Sequence, residues 1–251
     1  MPNQLRRLLA ANARKGEFRA EGDTIFIYDI IVASDADAEW LGGVSAEAVV
    51  RQMRAMSGPF NVRINSPGGD VFAARAIQAA MEAHGAEITA YVDGYAASAA
   101  SVIAAAADRC VMAQGAFLMI HRAWTITLGN AEELRAEAAV LEKIDTSIAE
   151  TYAARSGQSV ERFSELMAAE TWFTAQEAVD AGLANEIAEK APKAAARWDL
   201  SAYASPPKVD LGETVSPEPP ATEPKTDPAP QASAEDIAHR RRVAALRLKT
   251  A

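Results

Sequence analysis

From Thr24 to Ala181 the chain switches repeatedly between apolar runs of strand length and segments with helical periodicity. That alternation constrains the fold more than any other feature of the sequence. Thr24–Val32 (TIFIYDIIV), Phe60–Ile64, Glu87–Val92, Arg109–Met112 and Ala116–His121 predict strands. Ser45–Met56, Asp70–Ala83 and Ser98–Ala107 predict helices between them, the second with Val71, Ile77, Ala80 and Met81 facing inward. A long helix follows from Ala131 to Ala154, begun by Asn130 with Glu133 in capping position and closed near Gly157. Ser159–Ala168 and Thr174–Ala181 are two further helices, the second stopped by Gly182. Strands joined by crossover helices imply an α/β fold whose sheet is largely parallel and right-handed in its connections.

The 251 residues suit one domain of about 200 residues with appendages. Residues 1–20 form a basic extension with five cationic side chains against Glu17. The segment from 205 carries seven acids and seven bases, so residues 21–204 hold a net charge of −13 within the chain total of −9. Such a surface disfavours nucleic acid on the main domain. A single cysteine, Cys110, excludes an intramolecular disulfide framework and a cysteine-rich zinc site. The three histidines, His84, His121 and His239, restrict imidazole chemistry to few positions. No apolar run reaches membrane-spanning length, no secretory signal pattern follows the basic N-terminus, and the expected compartment is the cytoplasm.

Composition also sets boundaries. Residues 206–230 hold eight of the twelve prolines, with Val209, Leu211 and Val215 as the larger apolar residues. Too little surface is available there to offset ordering entropy, so 205–232 reads as a disordered linker. Residues 233–251 regain helical character: Ser233 is in capping position, Ile237, Val243, Ala244, Leu246 and Leu248 form an apolar set, and Arg240–Arg242, Arg247 and Lys249 are basic. This piece is either a solvated terminal helix or a docking helix for an acidic or apolar partner. The expected organisation is thus an extension (1–20), a main domain (21–204), a linker (205–232) and a basic helix (233–251).

Three loops follow strand ends, where α/β sheets gather ligand sites. In Asn65-Ser66-Pro67-Gly68-Gly69-Asp70 the paired glycines allow positive φ, so backbone N–H groups can point into a cleft. Neither phosphate-loop spacing, GxxxxGK[ST] or GxGxxG, is present. In Gly94-Tyr95-Ala96-Ala97-Ser98-Ala99-Ala100-Ser101 a serine among small residues opens a helix whose first N–H groups are unpaired. Phe117-Leu118-Met119-Ile120-His121-Arg122 ends an apolar strand on a histidine able to take a hydroxyl proton. Singly, each also reads as a turn, a packing contact or a structural histidine; His84 reads as a helix-end cap.

Together the three loops resemble the Clp-type serine peptidase family, which carries INSPGG, GxAAS and MIH at such positions; here they are Ile64–Gly69, Gly94–Ser98 and Met119–His121. Ser156–Ser159 and Thr174–Leu183 are similar to its closing segments, and the resemblance spans roughly 24–188. It implies the ClpP/crotonase fold of stacked ββα units, with the helix 131–154 as a projecting handle for homo-oligomer contacts. It further implies Ser98 as nucleophile, His121 as general base, and the backbone N–H groups of Gly69 and Ala99 as oxyanion hole, with no cofactor or metal. The family's triad aspartate falls on Glu170, a longer side chain for the same task; Asp145 on the long helix is a weaker substitute.

ETWFTAQEAVDAGL and the long tail look like the Clp-related head-maturation (prohead) proteases of phages. Such a protein would process capsid and scaffold proteins, meeting them through its tail, in the host cytoplasm or procapsid. Protein or peptide substrates are expected, and no membrane. The alternatives are a housekeeping Clp peptidase subunit working with an ATPase, or a non-catalytic oligomeric assembly protein.

Overall fold

The computed structural model of the chain describes residues 4–12, 18–189 and 198–207, all within one compact unit, Met1–Lys208. The expected linker beyond 207 and the helix 233–251 lie outside the described residues. In chain order the elements are α1 (Gln4–Asn12), β1 (Arg19–Glu21), β2 (Thr24–Ile27), β3 (Ile31–Val32), α2 (Asp35–Leu41), β4 (Val44–Ser45), α3 (Ala46–Ala55), β5 (Phe60–Ser66) and α4 (Val71–Glu82). They continue with β6 (Ile88–Ala97), α5 (Ala99–Ala106), β7 (Arg109–Ala113), β8 (Phe117–Ile120), α6 (Ala131–Ser156), α7 (Val160–Ala168), β9 (Thr171–Thr174), α8 (Ala175–Asp180) and β10 (Glu186–Ala188).

The main sheet runs β1-β2-β5-β6-β7-β10, with β8 on β6 and β9 on β8. Its pairs are parallel except β1/β2 and β8/β9, so the expected α/β class and crossover logic describe the molecule. The strand β6 serves two neighbours in turn. Thr89–Val92 pairs with β7, then Tyr95–Ala97 pairs with β8. An irregularity between Ile64 and Ser66 on β5 accompanies that handover. The sequence reading ended this strand at Val92; in the structure Gly94-Tyr95-Ala96-Ala97 extends it to the serine. Small residues do not forbid a strand whose two neighbours supply the packing.

The expected strand Thr24–Val32 is broken. Asp29 turns its carboxylate onto the Ile30 N–H (2.7 Å), and the Ser66 hydroxyl donates to the Asp29 carbonyl (2.6 Å). Local side-chain capture of this kind competes with a ladder. The chain therefore leaves β5 at Ile27, and Ile31 is delivered beside Gly69 instead. The core lies between sheet and helices: Ile25, Val62, Ile64, Ile77, Ala90, Val92, Ile103 and Leu118 are fully buried. Each larger aliphatic among them contributes about 1.5–3 kcal/mol by burial.

Helix α6 is begun by a capping box between Asn130 and Glu133 and ends on left-handed Gly157. Only Ile148, Ala149, Tyr152 and Ala153 of its 26 residues are buried, so its N-terminal half stands away from the core. No helix among the described residues is long and apolar enough to cross a membrane.

Candidate active site

Ser98 sits at the corner where β6 becomes α5, with φ 54° and ψ −124°. A non-glycine residue in this region is strained by of order 1–3 kcal/mol and persists only where the surroundings impose it. Here the Ser98 N–H donates to the Met119 carbonyl (2.9 Å), and the Ser98 carbonyl accepts from both the N–H (2.9 Å) and the hydroxyl (2.6 Å) of Ser101. The Ser101 hydroxyl in turn shares a 2.7 Å hydrogen bond with Tyr152 of α6. Sequence reasoning quoted Ser101 only as a neighbour and missed Tyr152. The three-residue spacing from Ser98 to Ser101 is a local signal, but Tyr152 is 51 residues beyond Ser101 and had none.

The strand β8 carries His121 to the same point. Its Nε2 lies 2.7 Å from the Ser98 Oγ, within the range for a base and its nucleophile. The imidazole is 7% exposed, and burial pushes its pKa down to about 4. It is therefore neutral at pH 7, with Nε2 able to accept a proton from the hydroxyl. The Trp124 ring stands edge-on to it at 4.4 Å between centroids.

Gly68 and Gly69 bring a third element against this pair. A Cβ on Gly68 (φ 97°) would stand 2.8 Å from the Ser98 Cβ, and one on Gly69 (φ 151°) would stand 2.1 Å from the Ile31 carbonyl oxygen. Only glycine fits either place. Ile31 bonds Gly68 and Asp70 on either side (2.9 Å each), which turns the Gly69 N–H to the opposite side. The N–H of Ala99, first residue of α5, belongs to the unpaired set of a helix N-terminus. Gly69, Ser98, Ala99 and His121 line one cavity of about 380 Å³, whose other walls include Val71, Phe72, Val102 and Ile148. Among the described residues no group of three or more metal-ligating side chains occurs.

The expected acid behaves differently. Glu170 has φ 51°, the other positive-φ non-glycine among the described residues. In the antiparallel pair β8/β9, Met119 faces Trp172 and Ile120 faces Thr171; Glu170 and His121 each lie one residue beyond the last of these pairs. Yet the Glu170 carboxylate accepts from the backbone N–H groups of Ala204 (2.8 Å) and Ser205 (2.7 Å) and from the Trp172 indole (3.4 Å). The His121 Nδ1 is buried without a hydrogen-bond partner among the described residues. Asp145, the weaker candidate, accepts from the Ala123 N–H (2.7 Å). The structure thus brings Ser98, His121, Gly69 and Ala99 together and leaves Glu170 next to them but otherwise engaged.

Residues 25–191 match the Clp protease family. The chain belongs to that family. An ATP-dependent Clp protease proteolytic subunit from Chlorella vulgaris is 33% identical over 129 residues, which is 51% of this chain and 64% of that protein. One from Ligilactobacillus salivarius is 29% identical over 166 residues, 65% of this chain and 84% of its own length. Among solved structures, a ClpP1 point mutant from Listeria monocytogenes superposes with a TM-score of 0.56 at 28% identity, covering 67% of this chain and 92% of that one. The α/β architecture with its long α6 is accordingly the ClpP fold.

Proposed function

We propose that this Clp-family chain is a serine endopeptidase. The observation that carries the reading is the 2.7 Å contact between Ser98 Oγ and a neutral, buried His121 Nε2, at the edge of a cavity that also holds the Gly69 and Ala99 amides. The Ser98 oxygen attacks a peptide carbonyl carbon while its proton passes to His121. The oxyanion that forms is met by the N–H groups of Gly69 and Ala99, fixed dipoles that need no reorganisation as charge develops. Collapse breaks the C–N bond, and His121 returns the proton to the leaving amine. Water then repeats the sequence on the acyl-serine and frees the enzyme. Glu170 is the acid that holds His121 in the correct tautomer when its carboxylate is turned to Nδ1. A peptide lying extended beside Gly69 fits the geometry, because Ile31 occupies only one edge of that segment.

The setting we propose is phage head maturation, with capsid or scaffold proteins as substrates. Its support is the resemblance of the ETWFTAQEAVDAGL segment together with sequence on both sides of the family match at 25–191. The exposed α6, with Leu134 and Val140 each more than two-fifths accessible, supports a homo-oligomer. A fluorophosphonate probe tests the chemistry: Ser98 becomes labelled and His121→Ala abolishes labelling. Absence of labelling in every state of the protein would leave a non-catalytic assembly protein. Mass spectrometry of co-expressed scaffold or coat protein, with the chain beside its Ser98→Ala variant, tests the setting. Cleavage only with the active form supports it, and degradation that requires an unfolding ATPase overturns it in favour of a housekeeping role.

A further inference from the structure

Residues 198–205 lie across the back of the site. Trp198, Leu200, Ala202 and Tyr203 are all buried, and with Leu8, Ala97 and Met119 they form an apolar cluster separate from the main core, against which Tyr95, Trp124 and Trp172 pack. The Trp198 indole donates to the Asn65 carbonyl (3.1 Å), and the Tyr203 hydroxyl donates to the Pro67 carbonyl. Both acceptors belong to the loop that carries Gly69. The Tyr203 ring is packed edge-on against His121 (5.4 Å between centroids) and Trp172 (5.6 Å). Helix α1 clamps the segment from outside. Asn12 accepts from the Asp199 N–H (2.7 Å) and donates to the Asp199 carbonyl (2.8 Å), while Arg7 donates to the Ser201 carbonyl (2.8 Å).

Trp198, Leu200 and Tyr203 do not line the cavity that holds Ser98. The cavity side of the nucleophile is thus left open, while the Tyr203 hydroxyl reaches the Ser98 hydroxyl from the side of the segment. There the segment supplies the two backbone N–H groups that hold the Glu170 carboxylate, and it seats Tyr203 against the imidazole whose Nδ1 lacks a partner among the described residues.

We infer that Trp198–Ser205 is a built-in inhibitory strap, which keeps the site resting by withholding Glu170 from His121, and that the groove it fills is a binding site for a peptide that turns at its centre, as Leu200–Tyr203 does (3.0 Å), and carries a tryptophan and a tyrosine five residues apart. This rests on Ser98 being the nucleophile of a peptidase. Release of the strap removes the two amide donors from Glu170 and leaves the 3.4 Å contact from the Trp172 indole; Glu170 lies one residue beyond the last β8/β9 pair, as does His121.

The test uses the full-length chain and the rate of fluorophosphonate labelling at Ser98. Tyr203→Ala removes the wedge, and Asn12→Ala, at the clamp, gives a second release route should the first variant fold poorly. Both are expected to label faster than the unaltered protein, by between about tenfold and the roughly 10⁴-fold that a triad acid can supply. Adding Glu170→Gln to either removes the gain. A synthetic peptide of sequence WDLSAYAS, supplied in trans to the Tyr203→Ala chain, slows labelling again, which a merely structural role for Tyr203 would not produce. If the unaltered protein labels and neither variant is faster, the strap is overturned while the peptidase reading stands. If folded, released variants fail to label at all, the peptidase reading itself falls.

Discussion

Two corners of the site share an uncommon backbone and differ in everything else. Ser98 and Glu170 are the non-glycine residues with positive φ among the described residues, at 54° and 51°. The Ser98 corner is fixed from inside: Met119 of β8 and Ser101 of α5 hold its backbone, and Tyr152 of α6 backs Ser101. Its strain is met by a buried network within the family-matched domain. The Glu170 corner is held from outside, by two amides of a segment beyond that domain. The proposed nucleophile and base are thus set by the core, and the carboxylate of the proposed acid by an appendage. A site built this way can be complete in its parts and still be at rest.

Removing the nucleophile is the severest way to break the contrast. Ser98→Ala is expected to lower peptide turnover by about 10⁶-fold, with His121→Ala close behind and the double variant no worse, since such groups act as a unit. Single-turnover assays on a short peptide ester read this directly. Gly69→Ala comes next. Its Cβ would run into the Ile31 carbonyl at 2.1 Å, so the loop must shift and its N–H leaves the oxyanion position. A loss of about 10²–10³ in kcat with little change in KM is expected, and a comparable loss in KM alone would place Gly69 in ground-state binding.

The imidazole between the two corners offers a third measurement. Burial holds His121 near pKa 4, below its ordinary value of 6.5. The unfolded chain binds the proton in that window and the folded one does not, so this contribution to stability is complete above about pH 6.5. It is lost as pH falls towards 4, amounting to about 3 kcal/mol at most. Of the ionisable groups nearby, Tyr203 on the strap packs on the imidazole, Asp37, Asp70 and Tyr152 line the same cavity, and Glu170 is engaged by the strap. Urea melts of the unaltered chain and His121→Ala at about pH 7 and about pH 5 should therefore converge as the pH drops; divergence would mean that a carboxylate already faces Nδ1.

The smallest effects compare the two supports. Tyr152→Phe removes a hydroxyl from Ser101 and should cost about 1 kcal/mol of stability, measured as a shift in denaturation midpoint at constant slope. Glu170→Gln weakens the acceptor of the strap. Amide hydrogen exchange at Ala204 and Ser205 should quicken by about tenfold, the equivalent of about 1.4 kcal/mol, while exchange at Ser101 is unchanged. Equal quickening at both places would erase the distinction between an internally and an externally held corner.

Much of this was legible beforehand. Helix limits were marked by caps: Asn130 and Glu133 start α6, Gly157 stops it, Asp70 starts α4 and Ser159 starts α7. The resemblance carried by the three loops pointed to Gly69, Ser98, Ala99 and His121, and the structure gathers all four around one cavity. The strand break at Asp29 was missed because it depends on Ser66, 37 residues away, and β9 was missed because four residues carry too little pattern. The boundary near 204 was drawn from proline content, which says where a core cannot form but not that Trp198–Ser205 packs onto the site just before it.

Local chemistry in the chain therefore determined where helices start and stop and which loops follow strand ends, and the resemblance of three of those loops to one family marked the candidate groups: short-range propensities, caps and glycines act over a few residues and are written in order. The state of those groups was a tertiary matter. Whether a carboxylate at 170 meets an imidazole at 121 or the amides at 204 and 205 is decided by competition between partners far apart along the chain. That competition exists only once the sheet has placed all of them together.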